Sequence, residues 1–127
     1  MITSVESVTN QMLELALDAA SLNQQAIANN IANVNTPNYV PLRTDFEEQM
    51  ASVRRTLDHG GRVSAGMLNR IHPELVREQS SINDDRTASL DMETARMAEN
   101  LVQYEALLKV AGLRMSLLKS AISEGKG

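Results

Sequence analysis

The chain has 127 residues, no cysteine and a formal net charge of −4 at pH 7. That length suits one domain with a modest core. The acidic balance argues against a broadly basic nucleic-acid surface, and the missing thiols exclude disulfides and thiolate chemistry. Phe46, Tyr39 and Tyr104 are the only aromatic residues. The core must therefore come from Leu, Ile, Val, Met and Ala, a set that suits helix-on-helix packing. No Lys or Arg precedes Arg43, and no segment reaches the roughly 18 continuous apolar residues of a membrane span. Neither a cleavable secretory signal nor a transmembrane helix is expected.

The first element is the strongest. Val5, Val8, Met12, Leu15, Ala19, Leu22 and Ala26 recur at alternating spacings of three and four, which is a heptad seam. The spacing predicts a helix over about 4–33, with Thr3 or Ser4 as its cap. Leu13, Ala16, Leu17, Ala20, Ile27 and Ile31 lie off that seam and widen the apolar face. Continuing the count lands on Asn29 and Asn33, where the seam turns polar.

A middle segment, 35–89, follows. Asn35-Thr36-Pro37-Asn38-Tyr39 is dense in turn formers, and Pro37 and Pro41 forbid simple helix continuation. Thr44 with Glu47 reads as a capping box opening a short helix through Phe46, Met50, Val53 and Leu57. His59-Gly60-Gly61 ends it. Residues 62–88 are polar and charged, with a turn at Asn83-Asp84-Asp85. They read as a loop or weakly ordered arm, with room for short strand pieces.

The C-terminal segment, 90–127, repeats the first pattern. Leu90, Thr94, Met97, Leu101, Tyr104, Leu108, Ala111, Met115, Leu118 and Ile122 alternate four and three without a break. Ser89 or Asp91 suits the N-cap and Gly125 the stop. The expected fold is all-α: two long terminal helices pair in a coiled-coil-like bundle, joined by a short helix and an irregular, partly flexible middle.

Two such helices cover only one stripe of each other. Leu13, Leu17 and Ile27 on the first, and Val102, Leu107, Val110 and Leu113 on the second, would remain wet. Burying one Leu or Ile is worth roughly 1.5–3 kcal/mol, so faces of this kind are expected to meet other chains. The competing reading is a closed three-helix bundle with the 45–58 helix as third member.

Residues 28–39 read Ala-Asn-Asn-Ile-Ala-Asn-Val-Asn-Thr-Pro-Asn-Tyr. Amides on a helix seam must find partners and can fix register; equally, Asn ends helices without further purpose. This stretch resembles the N-terminal signature of the flagellar rod and hook family of axial proteins, Ala-Asn-Asn-Ile-Ala-Asn-x-x-Thr-Pro-Gly-Tyr. Asn29, Asn30, Asn33, Asn35, Thr36, Pro37 and Tyr39 carry the match, and Asn38 stands where the family usually has Gly. Asn tolerates a left-handed backbone best among the other residues, so the turn is expected to survive. The short chain and the Leu90-Asp91-Met92-Glu93 and Glu99-Asn100-Leu101-Val102-Gln103-Tyr104-Glu105-Ala106-Leu107-Leu108 stretches resemble a proximal rod member. Tyr104-Glu105-Ala106 partly echoes a second short rod member of the family.

The resemblance implies a subunit of the periplasmic rod of the flagellar basal body, its terminal helices forming an inner tube around the export channel. It implies other copies of the chain, other rod proteins, the rod-base adapter and the MS-ring and export-gate proteins as partners. It also implies type III export without a cleaved signal, and a short export-gate recognition pattern, Phe-x-x-x-apolar, which Phe46 and Met50 match. The same pair also reads as two core residues one helical turn apart.

The chemistry of an enzyme is not visible. His59 and His72 lack a second ligand at metal spacing, Gly60-Gly61 is not followed by a phosphate-binding Lys-Ser or Lys-Thr, and no nucleophile elbow occurs. No cofactor, metal, nucleic acid or small-molecule substrate is expected. The alternative to an axial subunit is a soluble helical adaptor or chaperone with a groove for a client helix.

Overall fold

The structure, a computed structural model, describes residues 4–78 and 86–125. Helix α1 spans Ser4–Ala32, strand β1 Leu42–Thr44, helix α2 Phe46–Asp58, helix α3 Ala65–Leu68, strand β2 Leu75–Arg77 and helix α4 Arg86–Gly125. The two terminal helices pack on each other. They run antiparallel, since Asn100 meets Ala20, Asn23 and Gln24 while Arg114 meets Asn10 and the Glu6 carbonyl. At 1.5 Å per residue α1 is about 44 Å long and α4 about 60 Å. Arg114 is already level with the start of α1, so the turns from there to Gly125 run alongside and past its first described turn.

The middle segment is a small lobe on a separate stripe of α1. Val53, Leu68 and Ile71 form its buried centre, and Val8, Met12 and Leu15 of α1 pack against it together with Phe46, Met50, Val63 and Met67. The N-terminal heptad seam therefore faces this lobe. The off-seam set supplies the surface for α4: Asn10, Leu13, Leu17, Ala20, Gln24, Ile27 and Ile31 also alternate three and four, and three of them bond to α4. So α1 carries two adjacent seams, one per neighbour. Ile27, expected to stay wet, is fully buried, and Leu13 and Leu17 are half-buried.

Within the lobe, β1 and β2 pair antiparallel, with Leu42 opposite Arg77 and Thr44 opposite Leu75. Three residues per strand leave little ladder, and side-chain amides do the rest. Gln49 donates from Nε2 to the His72 carbonyl and accepts from the His72 N–H at Oε1, both at 2.8 Å. Residues 62–78, read as a loose arm, thus hold a helix and a strand fixed to α2. Asn83, Asp84 and Asp85, read as a turn, lie outside the described residues.

Two helix ends differ from expectation. Thr44 does not cap α2; it closes β1, and Asp45 is the N-cap. Its carboxylate makes no capping bond because it accepts from the Glu74 N–H and the Gln49 amide instead, tying α2 to the approach to β2. Helix α4 begins at Arg86, so Ser89 and Asp91 are interior residues rather than caps. The end of α2 follows the glycine reading. Gly60 has φ +72°, its N–H reaches the Leu57 carbonyl, and the Gly61 N–H reaches that of Thr56. This left-handed pattern satisfies the last carbonyls of a helix, and glycine adopts it without steric cost.

Candidate assembly surface

The Asn-rich run divides into two devices. Asn29 and Asn33 form a local one: the Asn33 side-chain amide donates to the Asn29 carbonyl and Oδ1, and Asn33 Oδ1 accepts from the Thr36 hydroxyl. The Thr36 N–H meets the Asn33 carbonyl at 2.9 Å and the Tyr39 N–H that of Thr36 at 3.3 Å. These bonds use the carbonyls left over where the helix stops. Asn38 has φ 60°, the left-handed conformation expected at the position where the family signature has Gly. Asn35 and Pro37 are exposed in this turn.

Asn30 forms the second device and is 3% exposed. Its Nδ2 donates to the Leu42 carbonyl at 3.0 Å, and its Oδ1 accepts from the Leu42 N–H at 2.7 Å and the Tyr39 hydroxyl at 2.8 Å. One amide thereby does the work of a neighbouring strand for β1 and anchors the turn on α1. Tyr39 is held from its other side by Arg77, whose guanidinium lies 5.4 Å from the ring centroid, a cation–π distance. Asn30 lies off the first seam, so its burial was not the expectation; of the two on the seam, Asn29 is exposed and Asn33 half-buried.

Two residues missed by sequence reading hold α4 in place. Asn100, 3% exposed, donates to the Ala20 carbonyl and to Gln24 Oε1 and accepts from Asn23. Glu93, 5% exposed, receives Arg43 of β1 at 2.6 Å and Arg96 at 3.1 Å. Nothing in the α4 pattern identifies their partners on α1 and β1.

As a result α4 turns an unexpected face to α1. The stripe through Glu93, Asn100, Leu107 and Arg114 is covered, and it shares only Met97, Tyr104 and Ala111 with the expected seam. Leu101, Leu108, Met115 and Leu118 of that seam are exposed to solvent, as are Val102, Val110, Leu113, Leu117 and Ile122. Of the α1 seam, Val8, Met12, Leu15 and Leu22 are half-buried. The surplus apolar surface of the chain is thus concentrated on α4. Beside it lies a groove of about 560 Å³ between α4, α1 and the lobe, with Ala16, Ala19 and Ala20 along its α1 wall and Arg43 and Phe46 on the lobe side.

Phe46 and Met50 are half-buried against the lobe centre, so the folded chain uses both as packing residues. Among the described residues, no cluster of three or more His, Asp or Glu is placed to hold a metal ion, and no helix is long and apolar enough to cross a membrane.

Comparison with known proteins agrees with the signature and extends past it. The family model described as flagella basal body rod protein matches residues 12–39, α1 from Met12 onward and the Asn-Thr-Pro turn. The chain is 27% identical to the flagellar basal body rod protein FlgB of Bacillus subtilis, over 97% of this chain and 99% of that protein. It is also 27% identical to the proteins of the same name from Yersinia enterocolitica, over 87% of this chain and 90% of the relative, and Salmonella typhimurium, over 87% and 89%.

Proposed function

We propose that this chain, which is similar to a flagellar basal body rod protein along nearly its whole length, is a structural subunit of the proximal rod, working by helix packing around the export channel. The observation that carries this reading is the exposed apolar surface of α4 on a helix already locked to α1 by Asn100 and Arg114 and to β1 by Glu93. A helix apolar on most sides needs neighbours on most sides. Adding a neighbour stabilises the folded form by mass action, so the subunit gains order as the rod grows. Length and the α4 sequence favour the proximal member over the second short rod protein.

The test is fractionation. The chain is expected to co-purify with basal bodies; recovery solely in the soluble fraction would favour the adaptor reading and end this one. The partners follow from the same reading: further copies, other rod proteins, the rod-base adapter, and the MS-ring and export-gate proteins. So does the location, the periplasmic rod, reached by type III export without a cleaved signal.

Phe46 and Met50 take two roles at different stages. In the folded subunit they pack on Val53, Leu68 and Ile71. In the unfolded chain in transit they are free to be read as an export-gate pattern. Phe46→Ala is expected to lower the amount secreted while leaving the cellular level intact, as measured by immunoblot of both fractions. Undiminished secretion would remove the recognition role and leave the packing role.

A further inference from the structure

The exposed part of α4 carries two apolar flanks on opposite sides of the helix. Leu101, Leu108, Met115 and Ile122 form the first; Val110, Leu113 and Leu117 form the second. Met115 and Leu117 are 56% and 70% exposed, and residues two apart in a helix point about 200° away from each other. The stripe that touches α1 runs between the flanks. A contact across a two-fold axis sets one patch against itself and closes. It would cover one flank and leave the other in water. A single kind of contact covers both when the first flank of one copy meets the second flank of the next, a head-to-tail contact that continues into a ring or a helical array.

We propose that copies of this chain associate laterally in this way, with the Leu101–Leu108–Met115–Ile122 ridge of one copy seated against the Val110–Leu113–Leu117 side of its neighbour. The inference rests on the rod-subunit reading and specifies the contact within it. Size favours the pairing. The second flank continues through Gln103 and Ala106 into the groove, where Ala16, Ala19 and Ala20 are small enough for large side chains of a neighbouring ridge to pack into the space. Charge favours it too. Lys119 stands beside the first flank, one turn from Met115 and from Ile122, and Glu124 stands on the second, two turns beyond Leu117. Both are exposed, and neither has an ion-pair partner among the described residues. A second copy brings the opposite charge to each.

The absence of native cysteine makes the contact testable by thiol cross-linking in the full chain. Met115→Cys and Leu117→Cys are placed singly and together, treated with a short flexible bismaleimide, and compared in purified concentrated protein and in isolated basal bodies. The two thiols of one double-variant molecule face opposite ways, so they cannot satisfy each other. The double variant is expected to give a ladder of cross-linked oligomers, and each single variant only background dimer. Lys119→Glu in the double-thiol chain is expected to reduce the ladder about tenfold, and adding Glu124→Lys to restore it. Circular dichroism confirms that each variant keeps its helices. Efficient dimerisation of a single variant means a two-fold contact and overturns the proposal. So does a cross-link solely to a protein of different mass, or the absence of a ladder in helical protein. A chain present in basal bodies without a ladder removes this interface and leaves the rod assignment. A ladder in purified protein that never reaches basal bodies does the reverse.

Discussion

Replacing Asn30 with alanine will lower the unfolding free energy by about 3 kcal/mol, the largest loss expected from any single polar substitution in the chain. The residue is buried, and its amide satisfies three groups at once: the N–H and carbonyl of Leu42 and the hydroxyl of Tyr39. A buried backbone group left without a partner costs the full desolvation of that group. Strand β1 cannot compensate by pairing further, since among the described residues its only ladder is with the three residues of β2. Urea unfolding followed by circular dichroism measures the loss, and hydrogen exchange at the Leu42 amide localises it. Tyr39→Phe removes one of the three bonds and should cost about 1 kcal/mol. Asn30→Asp keeps the acceptor but sets a carboxylate against the Leu42 carbonyl, so it should resemble alanine rather than asparagine. A midpoint for Asn30→Ala within error of the parent would show that the signature Asn plays no part in holding β1.

Glu93→Ala is expected to cost about 2 kcal/mol, for a different reason. The carboxylate is buried, and it neutralises Arg43 on β1 while also receiving Arg96. Its removal leaves the Arg43 guanidinium, one-fifth exposed, with the longer 3.5 Å ion pair to Glu78 and a hydrogen bond to the Leu42 carbonyl. That remaining partner and the partial exposure hold the loss below the 3–5 kcal/mol typical of a broken buried pair. The paired replacement Glu93→Leu with Arg43→Met should recover most of it, because apolar side chains of similar size often replace an ion pair without net loss. Thermal unfolding of the two single variants and the double variant forms the cycle. Equal destabilisation of the double variant and the sum of the singles would mean that Glu93 and Arg43 act independently. The loss should also appear as weaker docking of α4 on the lobe, because this ion pair spans the two.

These two residues mark where sequence reading stopped. Asn30 was legible as part of a signature, but its particular task was not. Periodicity put Asn29 and Asn33 on the seam, whereas burial fell on the residue between them. Glu93 and Asn100 were legible only as members of the stretches that carry the resemblance, with nothing in the helix pattern marking them for burial. The capping box at Thr44 and Glu47 failed because Thr44 was needed in β1 and the Asp45 carboxylate was drawn to Glu74 and Gln49. Tertiary bonds outcompeted a local cap of equal chemistry.

The sequence by itself determined the two long helices, the proline-broken turn between α1 and β1, the left-handed Asn38 and the glycine ending of α2. Each of these depends on local backbone preference or on a repeat within one segment. Only the tertiary structure decided which stripe meets which: α1 gives its heptad seam to the lobe and its second stripe to α4, and α4 turns inward a mixed stripe pinned by Asn100 and Arg114 and turns its apolar flanks outward. Hydrophobic burial is non-directional, so a periodic pattern marks faces that seek cover without saying what covers them. Hydrogen bonds and ion pairs are directional and pairwise. The register of α4 follows Asn100 on Ala20 and Glu93 on Arg43, partners that come together only once the chain has folded.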